Sequence, residues 1–573
     1  MVALILCLRL PFLNQAIQGD DVYYLAGAQH AQIDPLHPSQ ARYLFLGDWV
    51  DMRGHPHPPF NVWFLALLLA AFGDIREVPF HAAYLLFSLI AALSMLSLAR
   101  RFSPRPLWAT LLFLATPAFV INGNSLESDL PFLAFWMAGV ALFVAGSGWA
   151  IVPLVLAALS AYQAVFLTPI LGVFVWMHHR RSLRLWMLAL APPVTIALWQ
   201  GYELWSTGRL PAAVLGGHFQ TYGFQALENK LHNALALGVH ALWLVSPVLL
   251  VGAWRKRLRP DAFLVAWIAL FFSGALVVFF AGSARYLLPI AAPVALLVSH
   301  LPAPWLAAGF ALHLPLSLAL AVVNYQHWDG YRQFANSLRE QVSHRRVRIN
   351  GEWGLRYYFE AEGGLAIERG QAVRPGEMVV SSELAYPAPF TTGGGALTRI
   401  AEREIRPALP LRIFGIKTRS AYSTYVNGYW PLDISSGPVD RVWADLVVER
   451  KPTLEYLSLT APEAARQIVS GIYPDRWTGA RAAILLKSPA EAKRVSARFF
   501  IHDQAPARRV ILLVDGEEAA SQTYPGPGSY TLESPPRRPA GASATLTVVV
   551  DKTFSVAGDR RELGVILMEA GFR

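Results

Sequence analysis

Residues 79–101 read PFHAAYLLFSLIAALSMLSLARR, an apolar run of the roughly 20 residues that carry a helix across a bilayer. It closes on Arg100-Arg101, and basic residues gather at the cytoplasmic ends of membrane helices. The clusters His178-His179-Arg180-Arg181 and Arg255-Lys256-Arg257 follow apolar runs in the same way. The whole chain agrees with this reading. Of 573 residues, 54% are apolar and only 15% charged, mean hydropathy is +0.36, and soluble domains are about 25% charged. Much of the net charge of +10 that stands out as clusters is thus a topology signal. No nucleic-acid partner is expected.

Placing the basic clusters inside gives a continuous path. Helix one, about 1–16, leaves the cytoplasm. It has no basic leader and no small-residue cleavage site, so it reads as uncleaved. Residues 17–59 form an outer loop, and the short apolar stretch from Asn61 to Phe72 fits a juxtamembrane or re-entrant helix. Residues 79–99 run inward and 107–121 outward, to the loop NGNSLESD at 122–129. Residues 130–145 return, and 151–177 suit two short helices bent near AYQAVFLTP. Residues 185–204 exit to an outer loop, 205–233, with GGHFQTYGF. Spans at 234–254, 263–280, 287–299 and 305–322 complete about eleven.

From residue 323 the chain looks soluble and lies outside. An α/β domain is expected over 323–455, from the amphipathic helix YRQFANSLREQV and the strands RVRI, EMVVSS and VWADLVVE. A β-sandwich is expected over 456–573, from six or so short strands between turns such as DGEE and PGPGS. Residues 1–322 are expected to form a membrane domain. The fold class is a polytopic α-helical membrane protein with extracytoplasmic α/β and β-sandwich regions. A single cysteine, Cys7, excludes an intrachain disulfide and fits a bacterial exported region.

The polar residues beside these spans carry the chemistry. Asp20-Asp21 open the first outer loop, where a carboxylate near hydrocarbon needs a task or a partner. One can cap the helix starting near Tyr23, and one can serve as a general base. Glu127 and Asp129 fall on the same side, with Ser128 or Asp129 also suited to capping the helix at Leu130. Arg285, followed by Tyr286, suits a phosphate through its guanidinium fork, or anchors in the headgroups by snorkelling. If it lies at the interface, its removal should leave folding little changed. His57, in HPHPPF, offers an imidazole to phosphate or belongs to a stiff lead-in to the next helix. His55 and His57 are too weak a pair to predict a metal, and no nucleotide-binding motif occurs.

In order and spacing, residues 1–322 resemble a polytopic glycosyltransferase of the GT-C type, in the protein-mannosyltransferase-like and aminoarabinose-transferase-like group (families 39 and 83). The resemblance rests on Asp20-Asp21 with Tyr23-Tyr24, on His57-Pro58-Pro59, on Asp129 with Glu127, and on Arg285-Tyr286-Leu287-Leu288-Pro289. Asp-Asp replaces the usual Asp-Glu. Where many relatives carry a lysine, this chain has Ala161-Tyr162-Gln163-Ala164.

The resemblance implies an inverting transferase in the bacterial cytoplasmic membrane, working at its outer face as a monomer among membrane lipids. Its donor would be a polyprenyl-phosphate-linked sugar and its acceptor a glycan, lipid or protein, with no cofactor and no metal ligand assigned. Asp20 would be the base, with Asp21 its partner or in exchanged roles. Arg285, Tyr286 and His57 would hold the donor phosphate. Glu127, Asp129 and Tyr24 would bind acceptor or sugar. Two other classes share some features. A flippase of lipid-linked sugars would have the spans, but no inverted repeat is evident. A membrane-anchored glycan-binding protein would use Tyr357, Tyr358, Trp430, Trp443 and Trp477, but an anchor needs far fewer helices.

Overall fold

The computed structural model describes residues 1–51, 57–213, 224–256, 261–279, 283–392, 395–423, 428–449, 452–473, 475–556 and 561–573. His55 and residues 216–223 of the expected GGHFQTYGF loop lie outside them.

The N-terminal part is helical. Among the described residues, two helices are long and apolar enough to cross a membrane, Glu77–Phe102 with 26 residues and Ala303–Ser337 with 35. This corrects the expected eleven spans. The other apolar helices have 10–17 residues, because apolar runs in the sequence do not stay helical throughout. The run at 107–121 is split into Pro106–Leu114 and Pro117–Asn122, since proline lacks the N–H and clashes with the preceding turn. The run at 185–204 is divided between Leu183–Ala189 and Ala191–Thr207. That at 234–254 is divided between Phe224–Ala241 and Pro247–Arg255. The stretch from 151 is two helices, Ile151–Ser160 and Leu167–His178, joined by a 3-10 turn over Tyr162–Phe166.

Such breaks expose backbone groups that need partners in an apolar setting. At the Pro117 break, Ser317 Oγ donates to the Ala115 carbonyl at 2.7 Å, and Thr116 Oγ1 donates to the Leu244 carbonyl at 3.0 Å. The outer surfaces of these helices are apolar as well. Leu86, Leu93, Leu198, Val277 and Leu312 are all exposed, which suits a lipid surround better than water.

Helix Ala303–Ser337 would be about 52 Å long at 1.5 Å per residue. It runs without a break through residues 322–323, where the sequence suggested a boundary, and includes the start of YRQFANSLREQV. Its last turns pack beneath a five-stranded sheet built from β3 (Val347–Asn350), β4 (Leu365–Ala366), β5 (Met378–Ser382), β6 (Ala396–Ile405) and β7 (Asp440–Val448). The sheet order is β4-β3-β5-β7-β6, parallel among the first three and antiparallel beyond. Phe334, Leu338, Leu355, Phe359 and Val380 form a core between helix and sheet.

A hairpin in the first loop, β1 (Arg42–Phe45) and β2 (Asp48–Asp51), turns at Leu46-Gly47 with positive φ at both, as a two-residue hairpin turn requires. It docks on this layer, where the Leu46 N–H donates to Glu352 Oε1 at 2.7 Å. From residue 456 onward, a four-stranded and a five-stranded sheet enclose one core containing Leu457, Ile484, Phe499, Leu512 and Leu546. All of their pairings are antiparallel. This is a β-sandwich.

Candidate active site at the junction of helices and sheet

A cavity of about 1240 Å³, counting its open mouth, lies where the helical part meets the α/β layer. Asp20, Glu127 and Arg285 line it together, although each comes from a different loop. Arg285 occupies a 3-10 turn, Ala284–Leu287, that leads into helix Leu288–Val298. Its Nη1 contacts Glu127 Oε2 and lies 3.5 Å from Asp129 Oδ2. Its Nη2 is 3.6 Å from Asp20 Oδ2, longer than a hydrogen bond. Three carboxylates therefore surround one guanidinium, and the cluster carries a net formal negative charge. The Arg285 side chain lines the cavity and is largely enclosed by these partners. Its removal would leave these carboxylates without their cation, a change that costs about 3–5 kcal/mol for a buried pair. Unchanged folding is the expectation for an arginine at the interface, and these ion pairs argue against it.

Of the aspartate pair, only Asp20 lines the cavity. Asp20 precedes helix Asp21–Ala31 without a side-chain cap bond, and its backbone N–H donates to Glu127 Oε1 at 3.3 Å. Asp21 is fully buried. Its carboxylate accepts from the Gln18 N–H at 3.1 Å and the Leu126 N–H at 2.8 Å, so it ties the two acidic loops together. Burial pushes Asp21 up to about 8, against the pull of these two donors. Gly19 makes the approach of the loops possible. Its φ is +46°, and a Cβ there would stand 2.8 Å from Glu127 Oε1.

Tyr24 and His57 sit beside the cluster, not on the cavity. Their rings are 5.6 Å apart, and Ser128 Oγ joins them, 3.3 Å from the Tyr24 hydroxyl and 3.1 Å from His57 Nδ1. Tyr286 lines the cavity and stacks on Phe279 at 4.4 Å. Among the described residues, no group of three or more His, Cys, Asp or Glu is placed to hold a metal ion.

Sequence reasoning missed the other half of the lining, which includes Trp328, Trp353, Tyr386, Phe414 and Tyr422. The loop at 420–423 also fixes the Arg285 turn. The Tyr422 carbonyl accepts from the Ala284 N–H at 2.9 Å, and its hydroxyl donates to Asn122 Oδ1 at 2.8 Å. Asn324 offered a usable signal, a polar residue inside the last apolar helix. It donates to Gln18 Oε1 at 2.7 Å and accepts from the Trp328 indole at 2.8 Å. The aromatic residues named earlier for glycan stacking lie elsewhere. Trp443 is covered by Arg399, Trp477 packs on His502 and Phe554, and the Tyr358 hydroxyl donates to Glu77 Oε1.

No protein-family model matches the chain, and no curated protein matches it. Among solved structures it is similar to ArnT from Cupriavidus metallidurans in the apo state, at 14% identity over 67% of this chain and 93% of that one, with a TM-score of 0.41. It is similar also to ArnT from the same organism bound to undecaprenyl phosphate, at 16% identity over 60% and 70%, with a TM-score of 0.40. A likeness this distant assigns neither a family nor an activity.

Proposed function

We propose that this chain is an inverting glycosyltransferase of the cytoplasmic membrane that takes its sugar from a polyprenyl-phosphate carrier at the outer face. The observation that carries the reading is the meeting of Asp20 and Arg285 in one cavity at the ends of the apolar helices. A lipid-linked donor keeps its isoprenoid in the bilayer and brings only its phosphosugar to such a site. Residues 1–322 would act as the catalytic part and 323–455 as its cover, with 456–573 a separate sandwich.

In the proposed reaction, the Asp20 carboxylate removes the proton of an acceptor hydroxyl. The hydroxyl oxygen bonds to the sugar C1 as the bond from C1 to the phosphate oxygen breaks with inversion. The electron pair leaves on the polyprenyl phosphate, and Arg285 stabilises that charge. The longer gap on the Nη2 side of Arg285 leaves donors there for the phosphate. Glu127 and Asp129 hold the guanidinium in place meanwhile.

The test uses purified full-length protein with polyprenyl-phosphate sugars, following release of the polyprenyl phosphate. Asp20→Asn should lower the rate by about 10²–10⁴-fold, and turnover near wild type would remove Asp20 as the base. Arg285→Lys keeps the charge but loses the fork, at about 1.5–3 kcal/mol per lost charge-assisted contact. It should slow transfer while keeping some donor binding. Full activity in this variant would remove Arg285 from the donor site.

A further inference from the structure

The wall contributed by the α/β layer is a set of rings. Trp353 is the central one, with its centroid 5.1 Å from that of Tyr386, 5.4 Å from Phe414 and 5.9 Å from Trp328, each at a steep angle. Trp353 and Tyr386 both have left-handed backbone, with φ of +60° and +52°. Bulky residues rarely adopt this conformation, and it persists where the surroundings hold it, most often at functional sites.

Tyr386 is 48% exposed, and among the described residues its hydroxyl has no hydrogen bond. Burial and then the Asp20 charge raise its pKa above the ordinary tyrosine value, so the phenol and the proposed base sense each other. The cavity therefore sets aromatic surfaces and a free hydroxyl against carboxylates. A pyranose ring fits that pairing, since its C–H face stacks on aromatic rings while its hydroxyls reach carboxylates. An isoprenoid chain does not fit it, because it would strand the carboxylates in contact with hydrocarbon.

We infer that Tyr386, braced by the buried Trp353, forms a stacking platform for a saccharide acceptor whose reacting hydroxyl points to Asp20. The role of acceptor rests on the transfer reading above, whereas the platform itself is testable without it. Full-length protein in detergent is titrated with maltotriose, chitotriose and mannotriose by saturation-transfer difference NMR, with no donor lipid present. The wild type should bind at least one of them.

Tyr386→Gly should weaken that binding at least tenfold. It should not unfold the protein, because glycine accepts the left-handed backbone without strain and the ring is half exposed. Its Tm should fall by no more than a few degrees, since relief of the left-handed backbone offsets part of the lost ring contact. Tyr386→Phe keeps the ring and should lose only a fewfold. Failure of all three trisaccharides to bind the wild type would overturn the platform, as would unchanged binding in Tyr386→Gly. So would displacement of the resonance transfer by a serine- and threonine-rich peptide that itself binds more tightly than any of the saccharides. Saccharide binding in a protein that transfers no sugar would defeat the transfer reading and leave the platform standing.

Discussion

Asp21 carries no exposed surface and still anchors two backbone N–H groups from different loops. Burial pushes its pKa up to about 8 in the folded chain, above the ordinary aspartate value of 3.8. Between those values the folded chain keeps a proton that the unfolded chain has released. The stabilising contribution is therefore complete below about pH 4 and is lost as pH rises through about 8. Asp21→Asn removes this dependence, at the constant expense of one side-chain acceptor for a backbone N–H. The Tm of the variant relative to wild type should climb steadily between those limits, as followed by thermal unfolding in detergent. A difference that stays flat with pH would show that the carboxyl titrates normally.

The helix Trp353–Ala361 meets the loop before Asp20 through a contact only glycine allows. A Cβ on Gly354 would stand 2.5 Å from the Ile17 carbonyl oxygen, and a backbone atom cannot swing aside. Gly354→Ala should therefore push the ring-bearing helix off the acidic loop. We expect a loss of about 1–3 kcal/mol in stability and a drop in turnover. Gly201→Ala is the control, since nothing lies within 4 Å of the added methyl, and its Tm should hold. Equal behaviour of the two variants in Tm and turnover would show that the contact carries no weight.

How much of this was legible in the sequence follows from the same elements. Asp20, Glu127 and Arg285 could be singled out because each is charged beside an apolar run, where charge is costly. Trp353, Tyr386 and Phe414 could not, because an aromatic in a soluble layer is usually core and no local pattern links residue 353 to residue 20. The span count failed for a different reason. Hydropathy sums over a window, and it does not register that Pro117 ends one helix and begins another.

At the scale of the whole molecule, the sandwich contributes no residue to the cavity lining. It touches the α/β layer through a small apolar cluster of Leu446, Val448, Val469 and Leu485. A chain ending at residue 452 should keep its turnover within a fewfold of wild type. Its Tm should fall, because Leu446 and Val448 become exposed. A complete loss of transfer in a folded truncated protein would give the sandwich a direct part in the reaction. The wall of rings also has a consequence for biosynthesis. The acidic loops and Arg285 are translated first, while Trp353, Tyr386, Phe414 and Tyr422 follow within a layer whose sheet closes only with β7 at Asp440–Val448. A nascent chain thus carries the acidic loops and Arg285 long before it carries the wall that encloses them, so the proposed transfer would begin only once that later layer has emerged and folded.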